Sequence, residues 1–285
     1  MPTETIDLHG HVIAPDADAY PLNPMGGKQS DWSRERPVDD AGMLQAMTLA
    51  GVSQSVLVQA STCYGHDNRY VQDCVAKHPH AFIGVFSVDM VSDQAITDID
   101  RWVQAGLSGV RVFIAGHTAA DKSLRLDDPR GFEAWQYVEA QGIPMCVQIR
   151  SDGLDQVETL LQRFPNALVL LDHFARPHLE GGSPYTEAKA LFNLARYPNL
   201  HFKLTTHNVR ESLLGQSTQA DFARDVVNAF GADRIAWGSN FPASKGSLAE
   251  HVQEARACLS SLSATDQDWI FSGTAKKIYP QLTQA

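Results

Sequence analysis

Asp7-Leu8-His9-Gly10-His11 follows a short apolar run close to the start of the chain. Read as the end of a β-strand, it sends Asp7, His9 and His11 to one face, because successive side chains alternate across a strand. Two imidazoles at that spacing suit a single metal ion or a single carbonyl oxygen. Isolated His-x-His pairs also occur on ordinary polar surfaces. The meaning of this pair therefore depends on whether the rest of the chain encloses it.

Outward from this stretch the apolar pattern alternates between short continuous runs and segments of helical period. The runs predict strands at 5–8, 55–60, 81–86, 109–114, 143–149, 168–172, 200–204 and 234–238. Helices are expected from 38 to the stop at Gly51, and at 68–77, 92–105, 131–141, 153–163, 185–196, 219–230, 248–259 and 274–278. Eight strand-then-helix units with apolar strands specify a closed parallel (β/α)8 barrel, a TIM barrel, in one domain over residues 1–285. An open doubly wound sheet is the alternative. No Gly-x-Gly-x-x-Gly follows the first strand, so a dinucleotide cofactor has no support and none is expected.

Residues 12–37 break the rhythm. Pro15, Pro21, Pro24, Pro37 and the pair Gly26-Gly27 predict a long irregular loop, a kind that commonly covers a site. Tyr20, Lys28, Trp32, Arg34 and Arg36 are its candidate ligand contacts.

The chain of 285 residues carries a formal net charge of -10. No basic block offers counterion release to a nucleic acid. An acidic total still permits a locally basic pocket and an anionic small-molecule substrate. No run of 18 apolar residues is present to span a membrane, and because Met1 to Ile6 lacks a basic n-region and a long apolar segment, no secretory signal is expected. Cys63, Cys74, Cys146 and Cys258 lie far apart. They read as reduced thiols of a cytoplasmic protein, with Cys146 in the core and Cys63 in the core or a pocket wall. Oligomeric state is not legible, since the apolar helix faces do not divide between core and interface.

In a barrel of this kind chemistry sits where strands end. Those ends offer His9 and His11, then Gln59, Ser61 and Thr62, then Ser87 and Asp89, then Arg111 and His117. Gln148 and Arg150, Asp172 and His173, Lys203, Thr205, Thr206, His207 and Arg210, and finally Ser239 and Asn240 complete the ring. His9, His11 and His173 form a candidate zinc set. A hydrolytic metal site also wants a carboxylate on the last strand, where this chain has Asn240, and Arg150 opposes a nearby cation. Three imidazoles equally suit polarisation of a substrate carbonyl. Arg111, Arg150 and Arg210 with Lys203 make an anion-seeking wall, because guanidinium groups match carboxylates through paired hydrogen bonds.

At these blocks the chain resembles the amidohydrolase superfamily, in its lactonase branch typified by 2-pyrone-4,6-dicarboxylate lactonase. The resemblance rests on Asp7–His11, on Val58-Gln59-Ala60-Ser61 running to Gly65-His66-Asp67-Asn68, and on Gly109-Val110-Arg111. It continues through Leu171-Asp172-His173-Phe174-Ala175-Arg176-Pro177, Phe202-Lys203-Leu204, Trp237-Gly238-Ser239-Asn240-Phe241-Pro242 and Ser272-Gly273-Thr274-Ala275. It implies a metal-independent barrel enzyme that opens a cyclic ester. His9, His11 and His173 match the carbonyl-polarising histidines, and Ser61 and Arg111 fall near substrate-holding positions. Arg210 does so after a shift of one residue.

The departure is Asn240, where the family pattern has the aspartate that activates water. An amide has no useful basicity. The asparagine is therefore an inactivating substitution, or native beside another base, with His173 the nearest, or native in an enzyme that needs no water. The last case is a lactone isomerase, in which a substrate hydroxyl attacks the carbonyl internally. A metal-dependent amidohydrolase and an inactive binding protein are the remaining alternatives.

Overall fold

The computed structural model describes residues 4–114 and 125–283. His117 lies outside the described residues. The eight strands are β1 (Ile6–Gly10), β2 (Gln54–Val58), β3 (Phe82–Ser87), β4 (Gly109–Phe113), β5 (Met145–Gln148), β6 (Val169–Leu171), β7 (Leu200–Thr205) and β8 (Ile235–Gly238). They pair in parallel in sequence order. The sheet closes on itself through backbone bonds from Asn240 N to His9 O (2.7 Å) and from His11 N to Phe241 O (2.9 Å). No helix of the described residues is long and apolar enough to cross a membrane.

Alternation along the strands builds two apolar layers. Ile6, Leu8, Val56, Val58, Ile83, Val85, Cys146, Leu170 and Ala236 form one buried cluster inside the barrel, plugged by Ile278 and Tyr279 at the end of the helix Thr274–Ile278. The opposite faces, among them Leu57, Phe86, Val147, Leu171, Phe202 and Trp237, pack against the outer helices. The helices start and stop where local chemistry directs. Asp39 caps Asp40–Ala50 by accepting from Gly42 N, and Gly51 ends it with a left-handed φ of 68°. Ser247 and Glu250 form a capping box at the start of Leu248–Cys258.

Two expectations are corrected. The segment expected as one helix over 185–196 is broken into Thr186–Ala188, Lys189–Asn193 and Leu194–Arg196. The 12–37 loop carries a short turn of helix at Met25–Gly27 and another at Asp31–Glu35. That second turn delivers Trp32 onto His11, with ring centroids 5.3 Å apart.

Candidate active site

The first strand does not run straight to its two histidines. The β1–β2 register shifts between Asp7 and Gly10, which undoes the expectation that Asp7 lies beneath the imidazoles. Leu8 joins the interior cluster. Asp7 turns instead to the end of β8, accepting from Ser239 N at 2.7 Å and Ser239 Oγ at 2.5 Å. Burial raises the Asp7 carboxyl, against these bonds. This carboxylate ties the first strand to the last.

Below the mouth of the barrel lies a buried polar stack. Lys203 Nζ is 3.0 Å from Asp172 Oδ1, 3.3 Å from His9 Nδ1 and 3.1 Å from Cys146 Sγ. His9 Nδ1 also lies 3.5 Å from Asp172 Oδ1, and His9 Nε2 is buried without a protein partner. Burial pushes Asp172 up, but Lys203, His9 and Arg111 outweigh it and hold the carboxyl well below its ordinary range. Lys203 shows the mirror image, with burial opposing its charge and Asp172 raising it.

Above this stack is a cavity of about 200 Å3, lined by His11, Trp32, Ala60, Ser61, Thr62, Arg111, Phe113, Gln148, His173, Arg176, His207, Asn240 and Ala243. Arg111 donates to Gln59 O (2.8 Å) and to Asp172 Oδ2 (3.4 Å), while its Nε has no protein partner. The Ser61 hydroxyl and Gln148 Oε1 are also buried without one. Polar atoms left like this in a closed site are a request for a ligand's polar groups.

The imidazole tautomers follow from their partners. His11 Nδ1 lies 2.7 Å from Val58 O, which only accepts, so Nδ1 holds the proton. Burial, then Arg111, lowers His11 to about 3. At neutral pH its Nε2 is a bare acceptor. Thr205 Oγ1 lies 2.8 Å from His173 Nδ1 and 3.2 Å from Asn208 Oδ1. The Asn208 amide is oriented by Nδ2 donating to His173 O (2.8 Å), so the threonine proton goes to Oδ1 and His173 also presents a bare Nε2. Burial holds His173 well below its usual range, Asp172 pulling the other way.

His173 sits on a left-handed turn. His173, Phe174, Ala175 and Arg176 all have φ between 51° and 57°, a region disfavoured for side chains with a Cβ. Such strain persists where the surroundings over-determine it, commonly at active sites. Here Asn208 grips the His173 carbonyl and Phe174 stacks on Phe202 at 4.9 Å. The turn brings Arg176 into the cavity wall, with Nη2 3.3 Å from Glu211 Oε1. Asn240 is left-handed as well, with φ of 55°, and its Nδ2 donates to Ser244 Oγ at 3.1 Å.

Of the residues singled out in the sequence, His11, Trp32, Ser61, Thr62, Arg111, Gln148, His173, His207 and Asn240 line the cavity and His9 lies in the stack. Lys203 is not a substrate contact, because it is wholly buried as the counter-ion of Asp172. Tyr20 gives its hydroxyl to Asp73 at 2.6 Å and packs on Tyr70, away from the lining. Arg210 is held by Glu254 at 2.8 and 2.9 Å and by Lys245 O, and Arg150 is exposed outside the lining. Arg176, Phe113 and Ala243 line the cavity without having been singled out. Arg176 stands in the quoted 171–177 block, but only the left-handed turn reveals where it goes.

Among the described residues, the one group placed to share a metal ion is His9, Asp172 and His173, whose donor atoms lie within 4.8 Å of one another. His11, expected in that set, is not part of it. The donors do not fit a divalent cation well, since the single carboxylate already serves Lys203 and Arg111.

The amidohydrolase family model matches residues 6–281. The chain belongs to the amidohydrolase family. It is 28% identical over 215 residues to the L-fucono-1,5-lactonase of Burkholderia ambifaria, covering 74% of this chain and 71% of that protein. It is 25% identical over 249 residues to the 4-sulfomuconolactone hydrolase of Hydrogenophaga intermedia, covering 85% and 76%. An amidohydrolase from Burkholderia multivorans with bound zinc has the same fold, with a TM-score of 0.78, 20% identity and coverage of 97% and 99%.

Proposed function

We propose that this family member is a lactone hydrolase working on a small carboxylated or polyoxygenated lactone without a resident metal. The observation that carries the reading is the meeting of Arg111 and Ser61, each with an unpartnered buried donor, with His11 and His173 in one cavity of about 200 Å3. That volume suits a single small ring. The names of the two relatives, a sugar lactonase and a sulfonated lactone hydrolase, support the same bond type.

The roles differ from simple polarisation by three histidines. With bare Nε2 atoms, His11 and His173 accept hydrogen bonds and suit substrate hydroxyls or water. The donors for the developing oxyanion are Arg111 Nε and Ser61 Oγ. Buried donors fixed before reaction stabilise such charge most effectively. His9 supports His173 from beneath, the rings being 5.0 Å apart. No step needs a metal, and the charges of Lys203 and Arg111 act on Asp172 in its place.

A second reading rests on Asn240. Its amide suits orientation of a substrate hydroxyl that attacks the lactone carbonyl in place of water, the hydroxyl proton ending on the ring oxygen that leaves, as in intramolecular acyl transfer between two lactones. NMR of the protein and of Asn240→Asp with neutral and anionic lactones separates the readings, with a chelator-treated sample beside each. Ring-opened acid from the untreated and treated native sequence alike is the expected result. Interconversion of lactones without acid favours the isomerase, loss of rate with chelator returns a metal to the site, and inertness of the native sequence against every lactone ends the proposal.

A further inference from the structure

Inside a barrel, alternate side chains of each strand stack in layers. On β5, Cys146 lies in the buried stack with its Sγ 3.1 Å from Lys203 Nζ, and Gln148 stands on the same face one layer higher. The pairing of β4 with β5 sets Arg111 beside Cys146 and Phe113 beside Gln148. Phe113 offers the amide no hydrogen bond, and its ring carries the Arg111 guanidinium 5.0 Å from the centroid. Gln148 therefore faces the cavity without a neighbour to bond. It lines that cavity, is only 7% exposed, and has its Oε1 buried without a protein partner.

A buried polar atom left unpaired is costly, so a ligand that fills this cavity has to bring Oε1 a proton. A lactone has few ways to do so. Its carbonyl and ring oxygens only accept, and so does an ionised carboxylate. An ammonium would meet the guanidinium groups of Arg111 and Arg176, which line the same cavity. A hydroxyl donates to Oε1, accepts from a neighbouring donor and adds no charge. Turning the amide over exchanges its donor and acceptor ends, and a hydroxyl serves either one.

We propose, resting on the lactonase reading above, that Gln148 is a specificity-determining substrate contact and that the substrate is a lactone bearing a free hydroxyl. The hydroxyl bonds the Gln148 amide, while Arg111 and Ser61 remain the donors for the carbonyl oxygen. A carboxylate on the substrate is compatible with this arrangement, but the hydroxyl is what the site demands. A site built to bond a hydroxyl rejects the analogue without it, because the protein atom is then left unpaired.

The test measures kcat/KM for aldonolactones of both ring sizes, for their single-deoxy counterparts, and for a carboxylated lactone without a hydroxyl. On the native sequence at least one hydroxylated lactone is expected to exceed its deoxy counterpart by about 10- to 100-fold, the discrimination one unpaired buried polar group supplies. Gln148→Met keeps the length of the side chain and removes its polarity. It should bring that ratio towards one while still opening the deoxy lactone. Gln148→Glu keeps an acceptor and should keep the preference. Because the ratio compares two substrates on one preparation, it does not depend on how much of a variant is folded. A native protein that opens both members of every pair equally well, or works best on the lactone without a hydroxyl, overturns the assignment and leaves the lactonase reading intact. So does a preference that survives in Gln148→Met. Inactivity of a folded Gln148→Met towards both members also overturns it, since a contact confined to the hydroxyl leaves the deoxy reaction untouched. A native protein that opens none of the lactones overturns both readings.

Discussion

Lys203 Nζ lies 3.0 Å from Asp172 Oδ1 inside the barrel, and neither side chain has any exposure. The two depend on each other because each alone would be an uncompensated charge in the interior. Breaking a buried pair from one side typically costs about 3–5 kcal/mol. Lys203→Met should therefore destabilise the fold by roughly that amount in urea unfolding. The pair also sets two pH windows. Asp172 is depressed, so its contribution is full above the unfolded carboxyl value near 3.8 and is lost as pH falls further. Lys203 is raised, so its contribution is full below the ordinary lysine value of 10.5 and is lost as pH climbs through the higher folded value. Stability of Lys203→Met measured from pH 3 to pH 11 should lack both limbs; retention of either would assign it to other groups.

This stack marks the limit of what the chain discloses before it folds. Strands are legible because each is a short apolar run between turn signals, and the eight observed strands begin within two residues of the expected positions. His9, His11, Ser61, Arg111, His173 and Asn240 are legible because barrel strands deliver their last residues to one mouth. What a charged residue binds there depends on long-range partners. Arg210 meets Glu254, Tyr20 meets Asp73, and Lys203 meets Asp172, separations that no local pattern encodes. Arg176 depends on four successive left-handed residues, none of them glycine, a conformation no propensity predicts.

Arg111 has two duties. Nη1 and Nη2 serve Gln59 O and Asp172, and Nε faces no protein acceptor. Arg111→Ala would thus disturb folding as well as binding. Arg111→Lys keeps the charge for Asp172 and removes the planar fork. For an anionic lactone, kcat/KM should drop at least about tenfold, the equivalent of one lost charge-assisted bond. Urea unfolding should shift less than in Arg111→Ala. Equal loss in stability and unchanged kcat/KM would leave Arg111 a structural residue only.

Gly238 closes the barrel at the point where His9 must fit. A Cβ there would stand 2.7 Å from His9 Cβ and 3.0 Å from His9 N, so β8 approaches β1 only because position 238 has no side chain. The clash is with backbone and a stem carbon, neither of which swings aside. Overpacking of this kind costs about 1–3 kcal/mol. Gly238→Ala should lose that much stability and also move His9 off Lys203 and from beneath His173. Activity should then fall further than the lost stability explains when assayed well below the melting temperature. A variant equally destabilised by Leu57→Ala, which removes packing on the outer face of β2, supplies the comparison. Matched activity in the two would show that the closeness of β1 and β8 serves the fold and not the site.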